Sequence, residues 1–152
     1  MIIEKYNNHS VERLLQIDTE AVEHFLHSVK GIYSQDDFHD IDNHYKNGEF
    51  FVALDEENNN HIIGTCAYLI VDDETAELKR IRVAAEMRGR GYGGILLQFI
   101  EEKIKERGLK RIILRTSSTR PATHHFYEKH GYIRTGHEEY GDIHMIIFEK
   151  DF

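Results

Sequence analysis

The chain has 152 residues, 40% of them apolar and 30% charged, an ordinary globular composition that reads as one domain over residues 1–152 with a real buried core. A formal charge of −8 argues against grasping nucleic acid through its phosphates and fits soluble small molecules, although solubility alone also accounts for it. No apolar run approaches the ~20 residues of a membrane span, no signal-peptide pattern opens the chain, and the single cysteine, Cys66, forbids an internal disulfide, so a cytoplasmic protein is expected.

Met1–Lys5 reads as a short strand. Ser10–Val29 reads as a helix, with Val11, Leu14, Leu15, Val22, Phe25 and Leu26 at helical spacing and Ser10 as N-cap. A second helix is predicted over Asp36–Lys46, then a hairpin of Phe50–Leu54 and Ile62–Val71 around the polar turn Asp55–Asn60. Glu77–Val83 alternates as a strand. Tyr92–Arg107 is the clearest helix, its stripe formed by Ile95, Leu96, Phe99, Ile100 and Ile104, with Gly108 where a C-terminal glycine belongs. Arg111–Thr116 is a strand, Ala122–Lys129 a short helix ended by Gly131, and Tyr132–Glu138 with Ile143–Glu149 a closing pair of strands. The pattern implies a mixed α/β (α+β) architecture, with helices covering a largely antiparallel sheet. The one proline, Pro121, marks no linker, and no repeat is visible.

Four glycines, Gly89, Gly91, Gly93 and Gly94, fall within six residues at the mouth of the Tyr92 helix. Bare backbone permits positive φ and close approach of a ligand, and the first N–H groups of a helix carry partial positive charge. Arg88–Gly94 therefore reads as a pyrophosphate cradle, with Arg88 and Arg90 adding full charges. A P-loop would end in Gly-Lys-Ser/Thr, which is absent. The dinucleotide fingerprint is met in form by Gly89, Gly91 and Gly94, but a polar stretch, Ala84–Arg88, separates strand from loop, and the next strand ends in Arg-Thr-Ser without an acid.

"RGRGYG" (Arg88–Gly93), "AELKRIRV" and "HHFYEKHGY" resemble the GNAT superfamily of acetyl-CoA-dependent N-acetyltransferases over nearly the whole chain. The resemblance implies a mixed, mostly antiparallel central sheet of six to seven strands flanked by about four helices. It implies that the amides of Arg88, Gly89, Arg90, Gly91, Tyr92, Gly93 and Gly94 bind the CoA pyrophosphate. Ile81, Arg82 and Val83 would meet the pantetheine arm as an added strand does, and a bulge near Arg82 would offer amides to the carbonyl oxygen. Tyr127 would protonate the departing thiolate. Glu77, fourteen residues before Gly91, would be the general base, with His144 or a water as rivals. The implied reaction is direct attack of a primary amine, on a small molecule or a peptide or protein, within a ternary complex. A non-catalytic acyl-CoA-binding sensor or assembly module is the alternative, and a homodimer is compatible with the family. Arg120 and Thr123 stand where many relatives carry asparagine and alanine, which leaves the cofactor contact there open.

The eleven histidines show no H-E-x-x-H or H-x-x-E-H spacing, so no metal is expected. The resemblance puts His24, His27 and His39 on helices that line the acceptor pocket, although a surface role is the plainer reading. Cys66, inside an apolar strand, reads as buried filler. Asp36, Asp37, Asp40 and Asp42 read as a solvated helix face rather than an acceptor site.

Overall fold

Apolar side chains on both faces of the central strands require a sheet covered on both sides, and the computed structural model, which describes residues 1–23 and 33–152, shows one. Strand β1 (Ile2–Lys5) leads into α1 (Val11–Val22), where the Ser10 hydroxyl accepts from the Arg13 amide at 3.2 Å as an N-cap. The remainder of the helix expected over Ser10–Val29, with Phe25, Leu26, His24 and His27, lies outside the described residues. The helix expected over Asp36–Lys46 is instead a 3₁₀ turn, Asp36–His39, followed by a short α2 (Ile41–His44). Asp40 breaks it: its backbone leaves helical geometry at φ −155° and ψ 66°, and its carboxylate accepts from the Asn43 amide to start a new turn.

Strands β2 (Gly48–Asp55) and β3 (His61–Ile70) form the long hairpin, followed by β4 (Thr75–Val83), α3 (Tyr92–Glu106), β5 (Arg111–Ser117), α4 (Pro121–Lys129), β6 (Ile133–Tyr140) and β7 (Ile143–Asp151). The seven strands order as β1-β2-β3-β4-β5-β7-β6, antiparallel except for β4 beside β5. Phe50, Val52 and Leu54 of β2 face Leu14 and Ile17 of α1 together with Phe38 and Ile41. Phe51 and Ala53 face the opposite layer, where Leu96, Leu97, Ile100 and Ile104 of α3 pack with Tyr127 of α4 and Phe148 of β7. The α3 stripe is shifted from the one expected: Ile95 is 48% exposed and Leu97 is fully buried, so the face that packs on the sheet runs through Leu96, Leu97, Ile100 and Ile104. Among the described residues no helix is long and apolar enough to cross a membrane.

Gly48 opens β2 against β3. A Cβ there would lie 1.9 Å from the Tyr68 carbonyl oxygen, a backbone atom that cannot move without opening the pair. Gly48→Ala is expected to destabilise by about 3 kcal/mol, read as a lower urea midpoint at unchanged m.

Candidate active site

Strands β4 and β5 pair only at Thr75–Glu77 with Arg111–Ile113, and beyond that point β4 runs on to Val83 without β5. The splay opens a cleft of about 680 Å³ between the two strands, roofed by α4. On its other edge β4 carries a bulge, where Arg80 and Ile81 together oppose the single residue Cys66, between the pairs Lys79–Ala67 and Arg82–Thr65. The bulge expected near Arg82 thus falls at Arg80–Ile81. Arg80 adopts a left-handed φ of +53°, uncommon for a residue that is neither glycine nor asparagine; the other non-glycine residues described with positive φ are asparagines.

At the far end of β4 lies the glycine loop. Gly89 and Gly91 have φ of +78° and +84°, and a Cβ at either would meet nothing within 4 Å, so conformation rather than packing selects glycine there. Gly91 is the N-cap of α3, with no side-chain cap and no acidic residue in the first turn. The first-turn amides and the positive end of a 15-residue helix dipole therefore face a hollow of about 460 Å³, lined by Arg88, Gly89, Gly91, Tyr92, Gly93, Gly94, Lys129 and His130. This donor set fits an anionic diphosphate.

Among the described residues, four arginines, Arg82, Arg88, Arg115 and Arg120, and no acid line the main cleft of a chain whose net charge is −8. Tyr127 of α4 also lines it, 8% exposed, with its ring edge-on to Phe126 at 5.2 Å and Tyr132 at 5.4 Å. Burial raises the phenol's pKa, and the Arg82 and Arg120 guanidiniums pull it back only in part, so it is protonated at neutral pH. Arg120 is half-buried at the start of α4. Its own pKa is lowered, first by burial and then by the positive charges of Arg82 and Arg88.

A second hollow of about 390 Å³ adjoins the first and shares Tyr33, Ser34, Ile81, Arg82, Arg115, Tyr127 and Met145 with it. Glu77 lines this one at the apex of the splay, where β4 last pairs with β5. Its side chain is 12% exposed, not a free strand-edge carboxylate, and is held by Arg115 and by Lys79 at 3.2 Å. His144 does not face either hollow: its neighbours Ile143 and Met145 line the main cleft, while His144 lies on the other face, 54% exposed and 3.2 Å from Glu139. His39 is exposed and lines neither hollow; His44 lines the second. The side chains of Ile81 and Val83 are half-buried, packing against the core with one side and lining the cleft with the other.

Asp36, Asp40 and Asp42 are exposed, as a solvated face requires, and Asp37 alone departs from that reading. It is 6% exposed and accepts from the Arg80 Nη2 at 2.6 Å, the Arg80 Nε at 3.0 Å and the Tyr45 hydroxyl at 2.6 Å. Asp18 of α1, 1% exposed, accepts from Arg82 Nε at 2.9 Å, Arg80 Nη1 at 3.2 Å, Gln35 at 2.9 Å and the Tyr33 hydroxyl. Burial by itself would raise both carboxyls. The guanidinium charges and hydrogen bonds outweigh it and hold both below the usual 3.8. Depressed carboxyls stabilise fully above their unfolded pKa, and that contribution is lost as pH falls through the lower folded values. Asp37→Asn is therefore expected to flatten the fall of Tm below about pH 4, and to cost about 3 kcal/mol at pH 7 by leaving Arg80 underpaired, both measurable by thermal melts across pH. Sequence spacing gave no hint of Asp18, Tyr33 and Arg80 as neighbours, since they meet only across α1 and β4. Cys66 is fully buried, and burial pushes its thiol pKa up, as a filler residue requires.

The fold is shared with solved acetyltransferase structures. The structure superposes on an acetyltransferase from Streptococcus agalactiae with a TM-score of 0.83 and 25% identity, covering 99% of this chain and 98% of that one. It superposes on a GNAT family acetyltransferase from Elizabethkingia anophelis with acetyl-CoA bound with a TM-score of 0.72 and 22% identity, over 99% and 97% of the two chains. In sequence it is similar to human N-acetyltransferase 8B, 28% identical over 110 residues, or 65% of this chain and 47% of that protein. The chain spans less than half the length of the curated relatives it matches. The Acetyltransferase (GNAT) family pattern matches residues 10–132, and the chain belongs to that family.

Proposed function

We propose that the protein is an acetyl-CoA-dependent N-acetyltransferase that acylates a primary amine, on a small molecule or a peptide or protein, by direct attack in a ternary complex. The observation that carries the reading is the continuity of three features: an uncapped glycine N-terminus on α3, a stretch of β4 before it that is unpaired on its β5 side, and a buried tyrosine lining the same cleft. Acetyl-CoA supplies an activated thioester when bound.

The amides of Arg88–Gly94 and the Arg88 and Arg90 charges would hold its diphosphate. The main chain of Ile81, Arg82 and Val83 would take its pantetheine arm in place of the missing β5 ladder. Amides at the Arg80–Arg82 bulge would receive the carbonyl oxygen as negative charge develops there. Tyr127 would donate its phenolic proton to the sulfur. Arg120, in the same cleft, adds positive charge where the thiolate forms. Glu77, fixed by Arg115 and Lys79 at the apex of the splay, would accept the ammonium proton through water.

Calorimetry with acetyl-CoA, followed by thiol release across a panel of amines, tests the reading. Absence of CoA binding refutes it. Binding with no thiol release from any amine favours the acyl-CoA-binding module instead. Glu77→Gln is expected to lower kcat about tenfold with KM for acetyl-CoA unchanged. That loss is smaller than the roughly 10²-fold of a typical base because the hollow is open to bulk water.

A further inference from the structure

The left-handed residue of the β4 bulge is an arginine rather than a glycine, and its side chain is among the most heavily constrained in the protein. Besides its bonds to Asp37 and Asp18, Arg80 donates from Nη2 to the Ser34 carbonyl at 2.7 Å and from Nη1 to the Tyr33 hydroxyl. Its guanidinium carbon lies 4.7 Å from the Phe38 ring centre and 5.4 Å from that of Tyr33. Its carbonyl oxygen accepts from the Thr65 hydroxyl at 2.7 Å. Backbone and side chain are thus pinned from opposite ends. The side-chain partners come from α1, the Tyr33–Ser34 segment and the 3₁₀ turn, and Tyr33 and Ser34 themselves line the cleft. A planar fork that meets two carboxylates at once does what lysine cannot.

We propose that Arg80 is the positioning residue of the site: clamped by Asp37 and Asp18, it holds the bulge in its left-handed conformation. It thereby fixes both the main chain at Ile81–Arg82 and the cleft wall at Tyr33–Ser34. The role rests on the acetyl-transfer reading, because the amides it aims are those assigned to the reacting carbonyl. Arg80 lines the second hollow together with Glu77 but is given no part in the proton transfers. The glycine cradle lies at the other end of β4, so cofactor affinity and turnover should respond separately to its loss.

The test compares Arg80→Ala, Arg80→Gly, Arg80→Lys and Asp37→Asn in the full chain, each checked for fold by circular dichroism. For Arg80→Ala, acetyl-CoA affinity by calorimetry is expected within about threefold of the unmodified chain, with kcat down about 10²-fold, the order that misaligned reacting groups produce. Arg80→Lys is expected to lose about tenfold in kcat, since one ammonium cannot span both carboxylates. Arg80→Gly is the sharpest arm. Glycine adopts positive φ freely, so it should turn over at least about threefold faster than Arg80→Ala although it removes more side chain.

A merely structural arginine predicts lower melting temperatures with kcat unchanged, or Gly no better than Ala, and either result overturns the role. Should Arg80→Ala not fold, Asp37→Asn decides, with kcat lowered and affinity kept in support and kcat unchanged against. An unmodified chain that releases no thiol defeats the transfer reading instead. In that event the ¹⁵N–¹H resonances of Ile81 and Arg82 still decide: moved by Arg80→Lys while those of Arg88–Gly94 stay fixed supports the role, and unmoved defeats it.

Discussion

Tyr127→Phe is expected to lower kcat about 10²-fold while leaving the fold and the KM for acetyl-CoA nearly unchanged. The ring is packed against Phe126, Tyr132 and Phe148, and phenylalanine fills the same space. Among the described residues the phenol takes no hydrogen bond, so its removal orphans no partner. What is lost is a proton poised over the cleft. Burial raises the phenol's pKa, so it stays protonated at neutral pH and the rate should fall only as pH climbs past the ordinary tyrosine value near ~10. That alkaline limb should vanish in the variant, which has no proton to lose. Thiol release followed over pH 6–11 measures both effects, to about half a pH unit in the limb. Unchanged turnover would remove Tyr127 from the reaction.

Gly91→Val is expected to weaken acetyl-CoA binding about 10²-fold, with Gly91→Ala intermediate at about tenfold. At φ +84° any Cβ strains the backbone, and a β-branched one more so. Gly91 lines the hollow assigned to the diphosphate, so a shift of its strained backbone would move amides meant for the ligand. Gly108 provides the control. It has φ of +80° just past the other end of α3, with open space around its Cβ position and no part in either hollow or the cleft. Gly108→Ala should lose about 1 kcal/mol of stability, as Gly91→Ala does, yet leave the affinity alone. Equal affinity in the two variants would detach the glycine loop from cofactor binding.

Local chemistry explains which elements were legible. The α3 helix, the β2–β3 hairpin and the closing β6–β7 pair carry long apolar periods and clear turn residues, and they stand within a residue or two of where the sequence put them. The glycine loop was legible for a different reason: positive φ at Gly89 and Gly91 is a demand of the backbone itself, written into residue type. The Asp36–Lys46 segment was misread because Asp37 looks as solvated in a local window as its exposed neighbours Asp36, Asp40 and Asp42. Asp37 and Phe38 are held inward by Arg80 and Phe50, residues distant in sequence, and the chain leaves helical geometry at Asp40. No local signal placed the bulge either. Arg80 has no intrinsic preference for left-handed geometry and takes it only because two buried carboxylates and a threonine hydroxyl hold it there.

Sequence by itself determined the alternation of helices and strands, the anion-ready mouth of α3 and the presence of a tyrosine on α4, because each depends on contacts within a few residues along the chain. Only the tertiary structure decided where β4 leaves β5, that Glu77 is bound by Arg115 at that apex while His144 faces away, and that Asp18 and Asp37 meet on Arg80 beside the second hollow. Those facts arise from strand register and from charges that find each other across the sheet. The energies that fix them act between residues some forty to sixty positions apart, where no local pattern records them.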